Sequence, residues 1–203
     1  MLRHTSLRLI VMLAVVALIT SAAQAGRWNK VLSVGAQAPD FSGLIGTDDK
    51  QHGLSDYKDA ELVVVVFTCN SCPVAAACED RIIALQAKYK DQGVRVVAIN
   101  VNNVEGDKLG KMKERAAQKG FNYPYLYDAS QESARAYGAS VTPHFFLLDK
   151  NRKVVYMGAM DDSPLSAGEV KKKYLESAID ATLAGETPKV SETRQQGCGI
   201  QYD

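Results

Sequence analysis

The chain has 203 residues, 46% of them hydrophobic and 23% charged, with 24 basic residues against 23 acidic ones for a formal net charge of +1. That length and apolar content suit one domain with its own core and no need of a disulfide scaffold. The near-zero charge balance leaves no basic footprint for nucleic acid.

Residues 1–25 are expected to be a leader outside the fold. Arg3 and Arg8 make a cationic start, Leu9 to Ile19 is uncharged and apolar, and Ala23-Gln24-Ala25 has the small-x-small pattern that signal peptidase cuts. Such an apolar stretch falls short of the roughly 20 residues that span a bilayer, so cleavage before Gly26 is expected and the mature chain is not expected to be an integral membrane protein. No cysteine follows the cut to carry a lipid, and loss of two basic residues brings the charge from +1 to -1. Export would place the protein in a periplasmic or otherwise extracytoplasmic compartment, an oxidising one in which an unused thiol is a liability.

Residues 26–185 then read as one domain. Ala38-Pro39-Asp40-Phe41, followed by Gly43, Gly46 and Asp48-Asp49, predicts a short strand and a turn. Leu62-Val63-Val64-Val65-Val66-Phe67 is a continuous apolar run, which predicts a strand covered on both faces as in a parallel sheet. Cys69-Asn70-Ser71-Cys72 comes directly after it, and Pro73 opens a helix whose positions Cys78, Ile82, Leu85 and Tyr89 repeat as one apolar stripe. Gly93 closes that helix with a left-handed cap.

Val94 to Val101 is a second valine-rich strand, and Asp107 to Lys119 a polar helix closed by Gly120. Tyr123 to Tyr127 makes a short strand and Gln131 to Tyr137 a short helix before Gly138. Phe145 to Leu148 and Val154 to Met157 are close enough for an antiparallel hairpin. Ser166 and Glu169 suggest a capping box for a last helix running to Ala184, with Lys171-Lys172-Lys173 on its solvated face and Asp161-Asp162 as a loop cap before it. Residues 186–203 form an extended C-terminal tail with Cys198 between two glycines. This element order predicts an α/β fold with a mixed sheet and helices on both faces.

Two thiols separated by two residues, at the end of a buried strand and the start of a helix, can make and break a disulfide. The helix's free N–H groups and dipole favour a thiolate there. Cys69, one step earlier and nearer solvent, is expected to be the attacking sulfur and Cys72 the resolving one. The pair also reads as a zinc half-site or a static bridge, but a zinc site takes about four ligands and only Cys78 and Cys198 remain. Cys78 falls on the apolar stripe and is expected to be a buried core thiol. Cys198 is open between resolving an oxidised Cys69 or Cys72, pairing with another molecule and forming a static bridge.

With Thr142-Pro143 entering the terminal hairpin behind this pair, the chain resembles the thioredoxin fold, a three-layer arrangement in which that proline is cis and sits beside the active disulfide. The resemblance therefore adds Pro143 to the site and implies a backbone edge there, left open for a substrate strand. Val34-Gly35-Ala36-Gln37-Ala38-Pro39-Asp40-Phe41, Leu54-Ser55-Asp56-Tyr57, Tyr123-Pro124-Tyr125-Leu126-Tyr127-Asp128 and Tyr137-Gly138-Ala139 are similar to the redoxin branch that contains the alkyl hydroperoxide reductase and thiol-specific antioxidant proteins. Gly158 to Ser163 and Gly197-Cys198-Gly199-Ile200 resemble an exported peroxiredoxin-like subgroup.

The resemblance implies an exported thiol-disulfide oxidoreductase cycling Cys69 and Cys72. It needs no cofactor, and its partners are protein thiols or disulfides and an extracytoplasmic electron donor. A peroxiredoxin-like peroxidase is the alternative, with Cys72 aligned on the peroxidatic cysteine. Two departures speak against it: position 69 holds cysteine where that family has threonine, and no arginine stands in the strand Phe145 to Leu148. A typical thioredoxin has tryptophan before the first cysteine and glycine-proline between the two, where this chain has Thr68 and Asn70-Ser71. A third reading is a copper-handling module that uses Cys69, Cys72 and His144.

Overall fold

The computed structural model describes residues 26–203, and the expected leader lies outside the described residues. After a lead-in, β1 (Leu44–Gly46) and β2 (Gln51–His52) form a small hairpin. β3 (Leu62–Phe67) is buried at every position. It feeds α1 (Pro73–Tyr89), which returns the chain to β4 (Val94–Asn100), parallel to β3 with Val64 opposite Val96. α2 (Leu109–Lys119) leads to β5 (Tyr125–Tyr127), parallel to β4. α3 (Glu132–Tyr137) and the two-residue β6 (Val141–Thr142) precede the hairpin of β7 (His144–Leu148) and β8 (Val154–Gly158). β7 lies antiparallel to β3 on the side away from β4, so the sheet runs β2-β1-β5-β4-β3-β7-β8 with β3 and β4 inside it.

The alternation of β3 divides the core in two. Val64 and Val66 join Ile82, Leu85 and Tyr89 of α1 and Met112 of α2 on one face. Val63, Val65 and Phe67 join Tyr137 of α3 with Leu32 and Phe41 of the lead-in and Leu54, just after β2, on the other. Helices therefore cover both faces, although α3 is short and the lead-in covers much of its side. The α1 stripe is buried as its spacing predicts: Cys78, Ile82, Leu85 and Tyr89 all face inward.

The last helix, α4 (Tyr174–Leu183), begins later than the Ser166/Glu169 pattern predicts. That pattern makes only a single turn of 3-10 helix, Ala167–Glu169, with no side-chain cap. The reason is a competing set of partners. The Asp162 carboxylate accepts the N–H groups of Lys171 and Lys172 at 2.9 Å each, and Met160 accepts that of Leu175 at 3.0 Å, so the chain is tied back until Tyr174. The lysine run thus lies on this connector and not on a helix face.

After α4 the tail stays extended along β8, where Met157 donates to Ser191 at 3.0 Å and accepts from Thr193 at 3.1 Å. It then crosses the end of the sheet, and β9 (Cys198–Gly199) pairs antiparallel with β6, placing Cys198 opposite Thr142. No helix among the described residues is long and apolar enough to cross a membrane.

Phe146 is fully buried on β7, edge-on to Phe67 at 5.9 Å and to Tyr137 at 5.1 Å between ring centroids. Phe146→Ala removes the ring that joins β3, β7 and α3. It should cost about 3–5 kcal/mol of stability, measured as a lower midpoint of urea unfolding at unchanged slope.

Candidate active site

The junction from β3 to α1 sets the two cysteines. Thr68 still donates to the Ile99 carbonyl at 2.9 Å, so the sheet ladder holds the chain up to the residue before Cys69. Pro73 takes the first helical position, where a missing N–H leaves nothing unpaired. Cys72 is then the N-cap residue: its backbone is extended and its sulfur accepts the Ala75 N–H at 3.5 Å.

A carboxylate from the 3-10 turn Glu105–Asp107, beyond β4, holds the turn between the cysteines. Asp107 is wholly buried. Its Oδ1 accepts the N–H groups of Asn70 and Ser71 at 2.7 and 2.9 Å, and its Oδ2 accepts the Ser71 hydroxyl at 2.5 Å and the Asn102 amide at 3.1 Å. Four donors compensate a charge that could not otherwise be buried. Asn70 is fixed in turn, donating to Gly106 at 2.9 Å and accepting from the Tyr125 hydroxyl at 3.0 Å.

Thr142 closes the site from the other side. Its hydroxyl is 3.2 Å from the Cys69 sulfur, its carbonyl oxygen is 3.1 Å from the Cys72 sulfur, and its backbone is paired with Cys198. The Thr142–Pro143 peptide bond is cis, as the resemblance implies. The edge beside it is not open, however: β9 occupies it.

The electrostatics set the two sulfurs apart. Cys69 is not nearer solvent, since both residues are 2% exposed. Cys72 is held well below the usual thiol range, because Cys69 donates toward it and Cys198 and the Ala75 amide add to this, together outweighing burial. Cys69 is pushed well above that range by the same interaction with Cys72, by burial and by the Asp107 charge. The start of α1 adds to this: beyond Pro73 the Ala75 N–H reaches the sulfur of Cys72 and not that of Cys69.

The remaining candidates fall outside this centre. His144 lies opposite Phe67 in the sheet, 1% exposed, with its ring 4.4 Å from that of Phe146 and its Nδ1 without a partner. Burial pushes its pKa down to about 3. Among the described residues no three His, Cys, Asp or Glu side chains are disposed to hold a metal ion, so the copper reading of Cys69, Cys72 and His144 is not supported. Cys78 is a core thiol 3.3 Å from the Arg81 guanidinium, and burial pushes it up to about 11. Asp161 pairs with Arg81 and caps the Ser163 N–H at 3.0 Å, as a loop cap would.

Sequence reasoning missed Asp107 as a site residue. The only signal was a polar cluster, Asn100, Asn102, Asn103 and Asp107, placed after the second core strand, where open α/β sheets put their sites.

Comparison with known proteins agrees with the fold and with thiol-disulfide chemistry. The family model described as Redoxin matches residues 33–174. A thiol-disulfide oxidoreductase ResA from Geobacillus thermodenitrificans is 30% identical over 148 residues, covering 72% of this chain and 78% of that protein. Among solved structures, a hypothetical protein of Sinorhizobium meliloti is 33% identical with a TM-score of 0.80, over 86% of this chain and 97% of that one. A candidate thiol:disulfide interchange protein DsbE from Chlorobium tepidum is 30% identical with a TM-score of 0.63, over 75% and 99% of the two chains.

Two variants test these assignments. Asp107→Asn replaces an acceptor-only group by one that must turn an amide toward a donor, and should cost about 2 kcal/mol in urea unfolding. It also removes a negative charge beside Cys69, so the pH midpoint for alkylation of Cys69 should move down. His144 titrates lower in the folded protein than in the unfolded chain, so between those values the unfolded state binds the extra proton. Stability should be complete above about pH 6.5 and fall by up to about 1.4 kcal/mol per pH unit below it, levelling near pH 3. His144→Phe should flatten that part of the curve of stability against pH.

Proposed function

We propose, from the premise that this chain belongs to the Redoxin family and is a thiol-disulfide oxidoreductase, that Cys72 attacks the disulfide of a partner protein and Cys69 resolves the product. The observation that carries the assignment is the place of the Cys72 sulfur at the N-cap of α1, with the Ala75 N–H on it. The Cys72 thiolate attacks one partner sulfur and expels the other as a thiolate, leaving a mixed disulfide. Cys69 then passes its proton to the departing partner sulfur and attacks the Cys72 sulfur, breaking the Cys72–partner bond. With a proton from solvent on the sulfur expelled first, the partner leaves as a dithiol, two electrons richer, and Cys69 and Cys72 are left joined. Asp107 and Thr142 act as positioning residues: one fixes the backbone between the sulfurs, the other brings its hydroxyl to Cys69 and its carbonyl to Cys72.

The leader pattern of residues 1–25 supports export, and hence an extracytoplasmic dithiol as the donor that restores the reduced pair. The likeness to a thiol-disulfide oxidoreductase and to a candidate interchange protein supports protein thiols and disulfides as the substrate class. Peroxide reduction is the second reading, favoured by the lowered pKa of Cys72 alone. What surrounds that sulfur argues against it. The groups on Cys72 are thiols, amides and the Thr142 carbonyl, and none is a cation that would polarise a peroxide. Without such orientation a thiolate reacts at little more than its intrinsic rate.

Insulin disulfide reduction and hydrogen peroxide loss, measured with the same protein and the same dithiol, decide between the two. Insulin reduction should be fast and peroxide loss slow. Cys72→Ser should abolish disulfide exchange, and Cys69→Ser should slow multiple turnover while still attacking. With an acid-tolerant aromatic disulfide, wild-type reactivity should persist to about pH 6 or below and disappear in Cys72→Ser. Fast peroxide loss that survives Cys69→Ser and vanishes with Cys72→Ser would overturn the ranking; acid-range reactivity that follows Cys69 would overturn the assignment.

A further inference from the structure

Cys198 is the thiol that the Cys69–Cys72 cycle leaves unused, and the structure does not leave it at the surface by chance. It lies 126 positions along the chain from Cys72, yet it packs against Cys69, Cys72 and Val74 in one small cluster, and its thiol interacts with that of Cys72. The backbone of the tail is built to bring it there. β9 pairs with β6 in the register Thr142 opposite Cys198, and the Ile200 N–H donates to Ser140 at 3.0 Å. Gly197 makes the approach possible. A Cβ at that position would lie 2.0 Å from the Thr142 carbonyl oxygen and 2.6 Å from its carbon, inside any real contact.

The tail is anchored beyond Cys198 as well. Gln131 donates to the Gln201 carbonyl and accepts from the Asp203 N–H, both at 2.9 Å, and the Arg135 guanidinium stacks 4.3 Å over the Tyr202 ring. This docking covers the edge beside Pro143. A partner strand that is to reach Cys72 must therefore take the place of a strand that already carries a cysteine. The tail has the features of a client of this site: an extended strand on the Thr142 edge with a thiol directed at Cys72.

We propose that Cys198 is a third redox thiol of this centre, a built-in resolving cysteine that forms a disulfide with Cys72 in competition with Cys69. The proposal rests on the reading of Cys72 as the attacking thiol. In the mixed disulfide between Cys72 and a partner, the returning tail displaces the partner strand. Cys198 passes its proton to the departing partner sulfur and attacks the Cys72 sulfur. The Cys72–partner bond breaks, the Cys72–Cys198 bond forms, and the partner leaves as a dithiol with the two electrons the protein has lost. Cys69 can then attack Cys72 and release Cys198 as a thiol, an exchange with no net oxidation. An external dithiol reduces either disulfide and restores all three thiols.

The test uses residues 26–203 in wild-type and Cys69→Ser forms, reduced, exposed to glutathione disulfide, alkylated, and read by peptide mass. Wild type should show a disulfide within the set Cys69, Cys72 and Cys198. Cys69→Ser should convert a transient glutathione adduct on Cys72 into an intramolecular Cys72–Cys198 disulfide. Gly197→Ala in that background should slow this closure about 100-fold and let the adduct persist, because the tail can no longer reach its register. A folded Cys69→Ser protein that keeps the adduct with Cys198 freely alkylated, or that pairs Cys198 only between molecules, overturns the proposal and leaves the Cys69–Cys72 cycle intact. Wild type that forms neither an adduct on Cys72 nor any disulfide overturns the underlying reading instead.

Discussion

The centre of this protein depends on one residue pressed against two sulfurs and paired through its backbone with a third cysteine. Thr142 places its hydroxyl on Cys69, its carbonyl on Cys72 and its backbone on Cys198, and it can do so because β7 is locked in register against β3, with His144 opposite Phe67. A slip of one residue in that pairing would turn every β7 side chain to the other face of the sheet. The buried stack of Phe67, Phe146 and Tyr137 makes such a slip costly. Core packing thus fixes the distance between β6 and the turn before α1.

The second constraint is charge. Two equivalent thiols would share a proton without direction. Here the mutual hydrogen bond of the pair favours the charge on Cys72, the Ala75 N–H beyond Pro73 adds to that, and the Asp107 carboxylate, facing the residues between the cysteines, opposes ionisation of Cys69. The helix end and the carboxylate therefore make the surroundings of the two sulfurs unequal. Asp107 is tolerated in the interior because three of its four donors belong to the turn it organises, so its burial and the shape of the site are one interaction.

An exposed sheet edge beside a reactive sulfur invites pairing with any extended chain. In this molecule the tail occupies that edge, held by Gly197 against Thr142 and by Tyr202 and Asp203 against α3. Access to Cys72 is therefore set by the stability of a two-residue strand pair and its anchors, and strand pairs of that length open readily.

Much of the architecture was legible from sequence because it follows from local rules. The six apolar residues of β3, the 3.6-residue stripe of α1 and the cysteines between them each declare themselves within a few positions, and the family motifs placed Pro143 behind them. The last helix was misread because Ser166 and Glu169 carry a local signal that Asp162 overrides through backbone bonds made nine and ten residues away. What the sequence by itself determined was therefore the fold, the place of the cysteine pair between β3 and α1, and the thiol-disulfide chemistry. Only the tertiary structure decided which of the two sulfurs the first N–H groups of α1 reach, that Asp107 shapes the turn, and that Cys198 packs against the pair. Each of these depends on distance and burial between residues far apart in the chain, and hydrophobic periodicity carries no information about either.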